Sequence, residues 1–142
     1  SKVIRHTAGT VISILVLKVG IVGSRPVLDQ LAGCLGDPNA NTVEGSFNAL
    51  SKICEDGMML IKQTWDYPDE QTKHFVSWSA ENFLPKVMQY ASPQAPLHAR
   101  QNAIECLNHF ALNWAFNEPK FPQLQPYAAK YLEVLGVLAN DQ

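Results

Sequence analysis

Residues able to do chemistry are scattered along this sequence rather than grouped. The four histidines, His6, His74, His98 and His109, show no H-E-x-x-H or other metal-ligand spacing and read as surface or packed side chains. Cys34, Cys54 and Cys106 lie far apart, each among apolar residues. An odd number without close pairs argues against a disulfide framework or a zinc site, and the three read as buried thiols in a reducing compartment. Asp66, Asp69 and Glu70 form a small acidic cluster. A carboxylate pair can serve acid–base catalysis, but capping charge at a helix start explains this one better. No G-x-S-x-G, P-loop or G-x-G-x-x-G occurs. The reading is therefore of no catalytic residues, no metal and no cofactor, in a chain that is not an enzyme. A net charge of −2 over 142 residues offers no broad phosphate-binding surface, so no nucleic acid is expected as a partner. The most apolar run, Val11 to Gly23, is broken by Ser13, Lys18 and Gly20. It is shorter than the roughly 20 residues that span a bilayer, and it is not built as a signal peptide, so no membrane is expected either.

What remains is surface recognition, and one stretch carries its signal. Val43, Phe47, Leu50 and Cys54 recur at helical spacing, with Glu44, Asn48, Ser51, Lys52 and Glu55 on the opposite face. Asn41 is placed to cap this helix, Glu44 to complete a capping box, and Gly57 to give a left-handed exit. The full pattern predicts helices over Val3 to Val19, Val27 to Leu35, Thr42 to Asp56, Asp69 to Ala91, Leu97 to Trp114 and Pro126 to Ala139. Met58 to Gln63 reads as a further short helical turn. Pro26 suits a helix start, and Pro85 predicts a kink inside the fourth helix. No window alternates well enough for a strand. The expected core is Ile4, Ala8, Leu31, Leu35, Phe47, Leu50, Cys54, Phe83, Val87, Ala103, Leu107 and Phe110. On the first helix Ile4, Ala8, Val11, Ile12 and Leu15 are expected to share the inward face.

A repeat underlies these helices. Ile4-Arg5-x-x-Ala8, Val43-Glu44-x-x-Phe47 and Ala99-Arg100-x-x-Ala103 share one pattern, their anchors Arg5, Glu44 and Arg100 lying 39 and 56 residues apart. A period of about 40 made of two helices fits the HEAT or armadillo class. The fold class is then all-α, an α-solenoid of antiparallel helix pairs in a right-handed superhelix, with the second helix of each pair lining a concave face. Residues 1–142 read as one HEAT unit of about three repeats, with an enlarged connection near residues 58–80 that carries Trp65, Tyr67 and Trp78. Those aromatics are expected to pack the connection onto the convex side rather than dock a partner. The chain reads as cut from something longer, its first helix already under way at Val3. Arg5 and Arg100 are expected to bond to neighbouring repeats. Val11, Leu15 and Leu17 at one end, and Leu132, Leu135 and Leu138 at the other, are expected to be partly uncovered.

Three runs carry a resemblance. They are D-x-x-x-N-T-x-E-G-x-F-x-A-L-x-K-I-C-E-D from Asp37 to Asp56, N-F-L-P-K-V-M-Q-Y from Asn82 to Tyr90, and A-x-x-C-L-N-H-F from Ala103 to Phe110. With Ile4-Arg5 and Ser92-Pro93 they make the chain similar, over nearly all its length, to the karyopherin-β2 branch of the importin-β family of nuclear import receptors. The resemblance implies a place among the early repeats of the family's amino-terminal HEAT arch. It implies binding of the GTP form of the small GTPase Ran, which drives cargo release, and passage of cargo proteins with nuclear localisation signals through the pore. Nucleoporins are implied as further partners, and shuttling between cytoplasm and nucleus as the localisation. Cargo in this family binds mainly at the carboxy-terminal arch. Carried onto this sequence, the family's Ran-facing surface falls on Glu44, Asn48, Ser51, Lys52 and Glu55. Two features depart from the family pattern: the long segment from Lys62 to Ser79, and Arg25 where a tryptophan often precedes the proline. The competing reading is a HEAT scaffold for another assembly, of the kind phosphatases use.

Overall fold

The computed structural model describes residues 1–63, 69–112 and 115–140, and for 59–63 and 117 the backbone alone. Seven α-helices occur among them: α1 Lys2–Val19, α2 Arg25–Cys34, α3 Ala40–Gln63, α4 Glu70–Trp78, α5 Leu84–Tyr90, α6 Leu97–Leu112 and α7 Gln125–Asn140. A π-helical turn, Ser79–Phe83, joins α4 to α5, and two 3-10 turns, Ala115–Asn117 and Pro122–Leu124, lead from α6 to α7. The described residues contain no strand. Trp65, Tyr67, Asp66 and Trp114 lie outside them.

The helices form two layers. α3 packs between α1 and α6 in one layer, while α2, the α4–α5 unit and α7 form the other. Each pair, α2 with α3 and α5 with α6, joins the layers. This is the helix-pair stacking of a HEAT-repeat α-solenoid.

Local chemistry explains most of the element boundaries. Ser1 caps α1 through its hydroxyl, which accepts from the Ile4 amide at 3.3 Å. Gly20 ends α1 with a φ of 95°, the left-handed conformation that glycine adopts without strain. The cap of α3 is Asn39, not Asn41: its Oδ1 accepts from the Asn41 amide at 2.9 Å and its carbonyl starts the helix. Gly57 does not end α3. Met58 is fully buried and extends the stripe of Val43, Phe47, Leu50 and Cys54, so packing carries the helix on through the expected extra turn to Gln63. The connection expected over residues 58–80 is thus helical at both ends. Asp69 caps α4, accepting from the Thr72 amide at 2.8 Å, and this hydrogen bond holds its carboxyl below the usual carboxylate range.

The expected kink at Pro85 is a π turn just before it. Leu84 donates to the carbonyl of Ser79, one residue further back than in an α-helix. The Pro85 ring cannot donate and crowds the preceding turn, and the π register takes up the misfit.

The core follows the expectation for Leu35, Phe47, Leu50, Cys54, Phe83, Val87, Ala103, Leu107 and Phe110, all fully or almost fully buried. Leu31 is half-buried. Ile4 and Ala8 are exposed, because α1 is rotated about its axis from the expected face. It buries Gly9, Ser13 and Val16 against α3, and leaves Val11 and Leu15 half-exposed. The reason is close approach: a Cβ on Gly9 would lie 3.1 Å from the Ala49 backbone nitrogen. Helices that approach so closely select small residues at the contact and turn their large apolar ones outward. The far end matches the expectation, with Leu132 and Leu135 exposed and Leu138 half-covered.

An aromatic series threads the core. Phe83 stacks on Trp78 with centroids 5.6 Å apart, Trp78 on Phe75 at 6.4 Å, Phe75 on Phe110 at 6.3 Å, and Phe110 on Phe116 at 5.6 Å. Tyr131 meets the far end at 6.0 Å from Phe116. Offset stacks of this kind contribute about 0.5–1.5 kcal/mol each beyond burial. Trp78 therefore belongs to the core, and its indole N–H donates to Asp29 Oδ1 at 2.9 Å.

Candidate interaction surface on the α1–α3–α6 layer

The middle helix, α3, presents the five sequence-predicted residues, and the structure divides them. Asn48, Ser51, Lys52 and Glu55 line one cleft of about 150 Å³, closed by His6 and Thr10 of α1 and Glu105 of α6. Glu44 does not join them. Its Oε2 accepts from Arg5 Nη2 at 3.1 Å, and the two side chains are only 26% and 21% exposed, Arg5 first. Glu44 therefore ties α3 to α1 instead of completing a capping box. Arg5 takes the expected role of bonding to the neighbouring repeat.

Ser51 is also less free than its place opposite the apolar stripe suggests. It is buried, with its Oγ 3.3 Å from His109 Nε2 of α6. A third contact between helices of this layer runs from the Ser13 hydroxyl of α1 to Asp56 Oδ2 of α3, at 3.4 Å. The layer is thus stitched by side-chain pairs on both flanks of α3, and the cleft lies among them.

Lys52 and Glu55 form an ion pair at 2.9 Å along one edge. Their hydrogen bond raises the lysine and lowers the carboxylate from their ordinary values. Both groups are well exposed, so the pair contributes little to stability. What the cleft offers is a rim of charge with both signs, an amide at Asn48, imidazole at His6 and a carboxylate at Glu105. Such a rim suits polar recognition of a partner surface.

His6, Thr10 and Glu105 were not among the residues expected at this face. The repeat register was the signal that could have found two of them. Thr10 and Glu105 each stand five residues after an anchor arginine, Arg5 or Arg100, on the two helices that flank α3. The same register foretells the Arg5–Glu44 pair, opposite charges at one position of two successive repeats.

The remaining reactive groups are quiet. Cys54 and Cys106 are fully buried, and burial pushes both thiols well up, so they stay protonated at neutral pH. Cys34, expected to be buried, is only half-covered. Among the described residues no three His, Cys, Asp or Glu side chains converge as metal ligands, and no helix is long and apolar enough to cross a membrane.

Comparison with known proteins adds the relationship. No family model and no solved structure matches the chain. Importin subunit beta-2 of Schizosaccharomyces pombe is 32% identical over 140 residues, which covers 99% of this chain and 14% of the yeast protein. Transportin-1 of Homo sapiens is 28% identical over 143 residues, covering 100% of this chain and 14% of the human one. Transportin-1 of Oryza sativa is 31% identical over 114 residues, covering 78% of this chain and 11% of its own length. The chain therefore spans about 14% of the length of the first two relatives. With two layers of paired helices and identity spread along its whole length, the chain belongs to the importin-β2 and transportin family of HEAT-repeat proteins.

Proposed function

We propose that this chain works as part of a nuclear import receptor, within a protein that binds Ran-GTP and carries cargo with nuclear localisation signals through the pore. The observation that carries the reading is identity along the whole chain to proteins named importin and transportin. On this reading the chain is a binding module and not an enzyme, it shuttles between cytoplasm and nucleus, and nucleoporins are among the partners of the whole receptor. Cargo contacts fall mainly on other repeats of that receptor.

The α1–α3–α6 layer is the Ran-facing side on this reading. Asn48, Ser51, Lys52 and Glu55 carry the contact from α3, joined by His6, Thr10 and Glu105. Glu44 acts at one remove, holding α1 and α3 in register through Arg5.

The test is binding of the chain, and of the receptor containing it, to Ran loaded with GTP or with GDP. Exchanging the charges, Lys52→Glu with Glu55→Lys, keeps the local ion pair and net charge but reverses the rim. It should leave folding intact and weaken Ran-GTP binding by about 1–3 kcal/mol. A folded double variant with unchanged affinity would remove the site assignment. Binding to neither nucleotide form, by the whole receptor, would remove the transport reading in favour of an assembly scaffold.

A further inference from the structure

The outer layer holds a hydrogen bond whose acceptor exists because of a proline. In the π turn Leu84 donates to the Ser79 carbonyl, so the same ladder would next pair the Ala80 carbonyl with residue 85. Residue 85 is proline and has no N–H. The Ala80 carbonyl is met instead by Tyr127 of α7, whose hydroxyl donates to it at 3.0 Å. The turn shows other signs of cost. The Ser79 hydroxyl is fully buried with no hydrogen-bond partner among the described residues, and Asn82 turns its amide back to the Trp78 carbonyl at 3.4 Å.

We propose that the Tyr127 hydroxyl replaces the amide proton Pro85 lacks, making the π turn a hinge whose bend is set by the docking of α7. With α7 seated, the orphaned carbonyl is satisfied from the side and the bent register holds. With α7 displaced, that carbonyl must find water or pull the turn toward another register. Either outcome moves α5 relative to α4.

The movement has a defined downstream reader. α5 carries Lys86, whose Nζ donates to the Ala32 carbonyl at 3.0 Å, and Tyr90, whose hydroxyl donates to the Leu35 carbonyl. Both acceptors lie at the carboxy-terminal end of α2. A change in the α4–α5 bend therefore lifts these two donors from α2, and α7 is coupled to α2 through the turn although a whole helix unit stands between them. The coupling rests on discrete hydrogen bonds with two arrangements, not on general softness.

A double-mutant cycle read by native-state hydrogen exchange tests this. Tyr127→Phe keeps the ring and removes the donor, and α5 amides should exchange on the order of tenfold faster, with α1 and the first half of α3 unchanged. Pro85→Ala returns an N–H to the turn. In that background Tyr127→Phe should change α5 exchange by less than about twofold. Equal acceleration in both backgrounds would mean that Tyr127 merely packs α7, and would overturn the proposal. No acceleration in the proline-containing chain would overturn it as well.

Discussion

The closest test of the fold is a single methyl group at Gly9. This glycine is buried where α1 crosses α3, and a Cβ there would lie 3.1 Å from Ala49 N, 3.3 Å from Ala49 Cα and 3.4 Å from the Asn48 carbonyl carbon. Carbon contacts normally settle at about 3.5–4.0 Å. The obstructing atoms are all backbone, so no rotamer change relieves them, and α1 must move out by several tenths of an ångström. That shift also stretches the Arg5–Glu44 and Ser13–Asp56 contacts. Two effects compete. Replacing a helical glycine by alanine favours the helix by about 1 kcal/mol, and overpacking a rigid contact costs about 1–3 kcal/mol. The second wins, and Gly9→Ala should destabilise by about 1 kcal/mol, lowering Tm by about 3 °C for a chain of this size. Gly136 supplies the control. It lies in α7 with nothing within 4 Å of its added Cβ. Gly136→Ala should therefore stabilise, by up to about 1 kcal/mol. Urea and thermal unfolding followed by circular dichroism compare the two variants directly. Stabilisation by Gly9→Ala equal to that by Gly136→Ala would refute the close approach of α1 and α3, and with it the rotation of α1.

Four further outcomes follow from the geometry. Leu50→Asp places an unpaired carboxylate in a fully buried site, costing several kcal/mol, and should abolish the cooperative melt. Asn39→Ala should lose about 1 kcal/mol with its cap while Asn41→Ala is nearly neutral, which denaturant titration of the two variants distinguishes. A double-mutant cycle on Arg5→Ala and Glu44→Ala should give a coupling of about 1 kcal/mol, above that of the exposed Lys52–Glu55 pair. Asp29, Asp69 and Glu55 are held below their ordinary values by hydrogen bonds from Trp78, Thr72 and Lys52. A lowered folded-state value gives stability that is present above the unfolded value and lost as pH falls through the lowered one. Stability should accordingly decline below about pH 4, and Asp69→Asn, which still caps, should flatten that decline in pH-dependent unfolding.

The sequence made α3 legible because its stripe of large apolar residues faces the core on both sides of the pair. It misled on α1 for a physical reason. Large apolar residues surround that helix, and the contact with α3 is chosen by Gly9 and Ser13, which no hydrophobic pattern counts. Gly57 suggested a stop, yet a glycine ends a helix only when the next residues have no burial to gain, and Met58 does. Pro85 announced a distortion without revealing its form, since the π register depends on the partner that Tyr127 supplies from another repeat. At the cleft, the polar face of α3 was readable from periodicity alone. The split between Glu44 and its neighbours was not, because it depends on which residue of α1 stands opposite. The same holds for Ser51, which looks solvent-bound on α3 until His109 of α6 is set beside it.

Four of the outer layer's hydrogen bonds share one direction along the chain. Lys86 and Tyr90 reach back to carbonyls of α2, Trp78 reaches back to Asp29, and Tyr127 reaches back to Ala80. In each case the later helix brings the donor and the earlier one already holds the acceptor. During synthesis the amino-terminal elements emerge first. A newly made helix therefore finds its docking groups waiting on the surface already formed, and none of these contacts depends on a segment still to be translated. At these four contacts the outer layer can grow from one end, each addition completing its own attachment, and shortening it from the carboxy-terminal end removes a donor and leaves an acceptor behind.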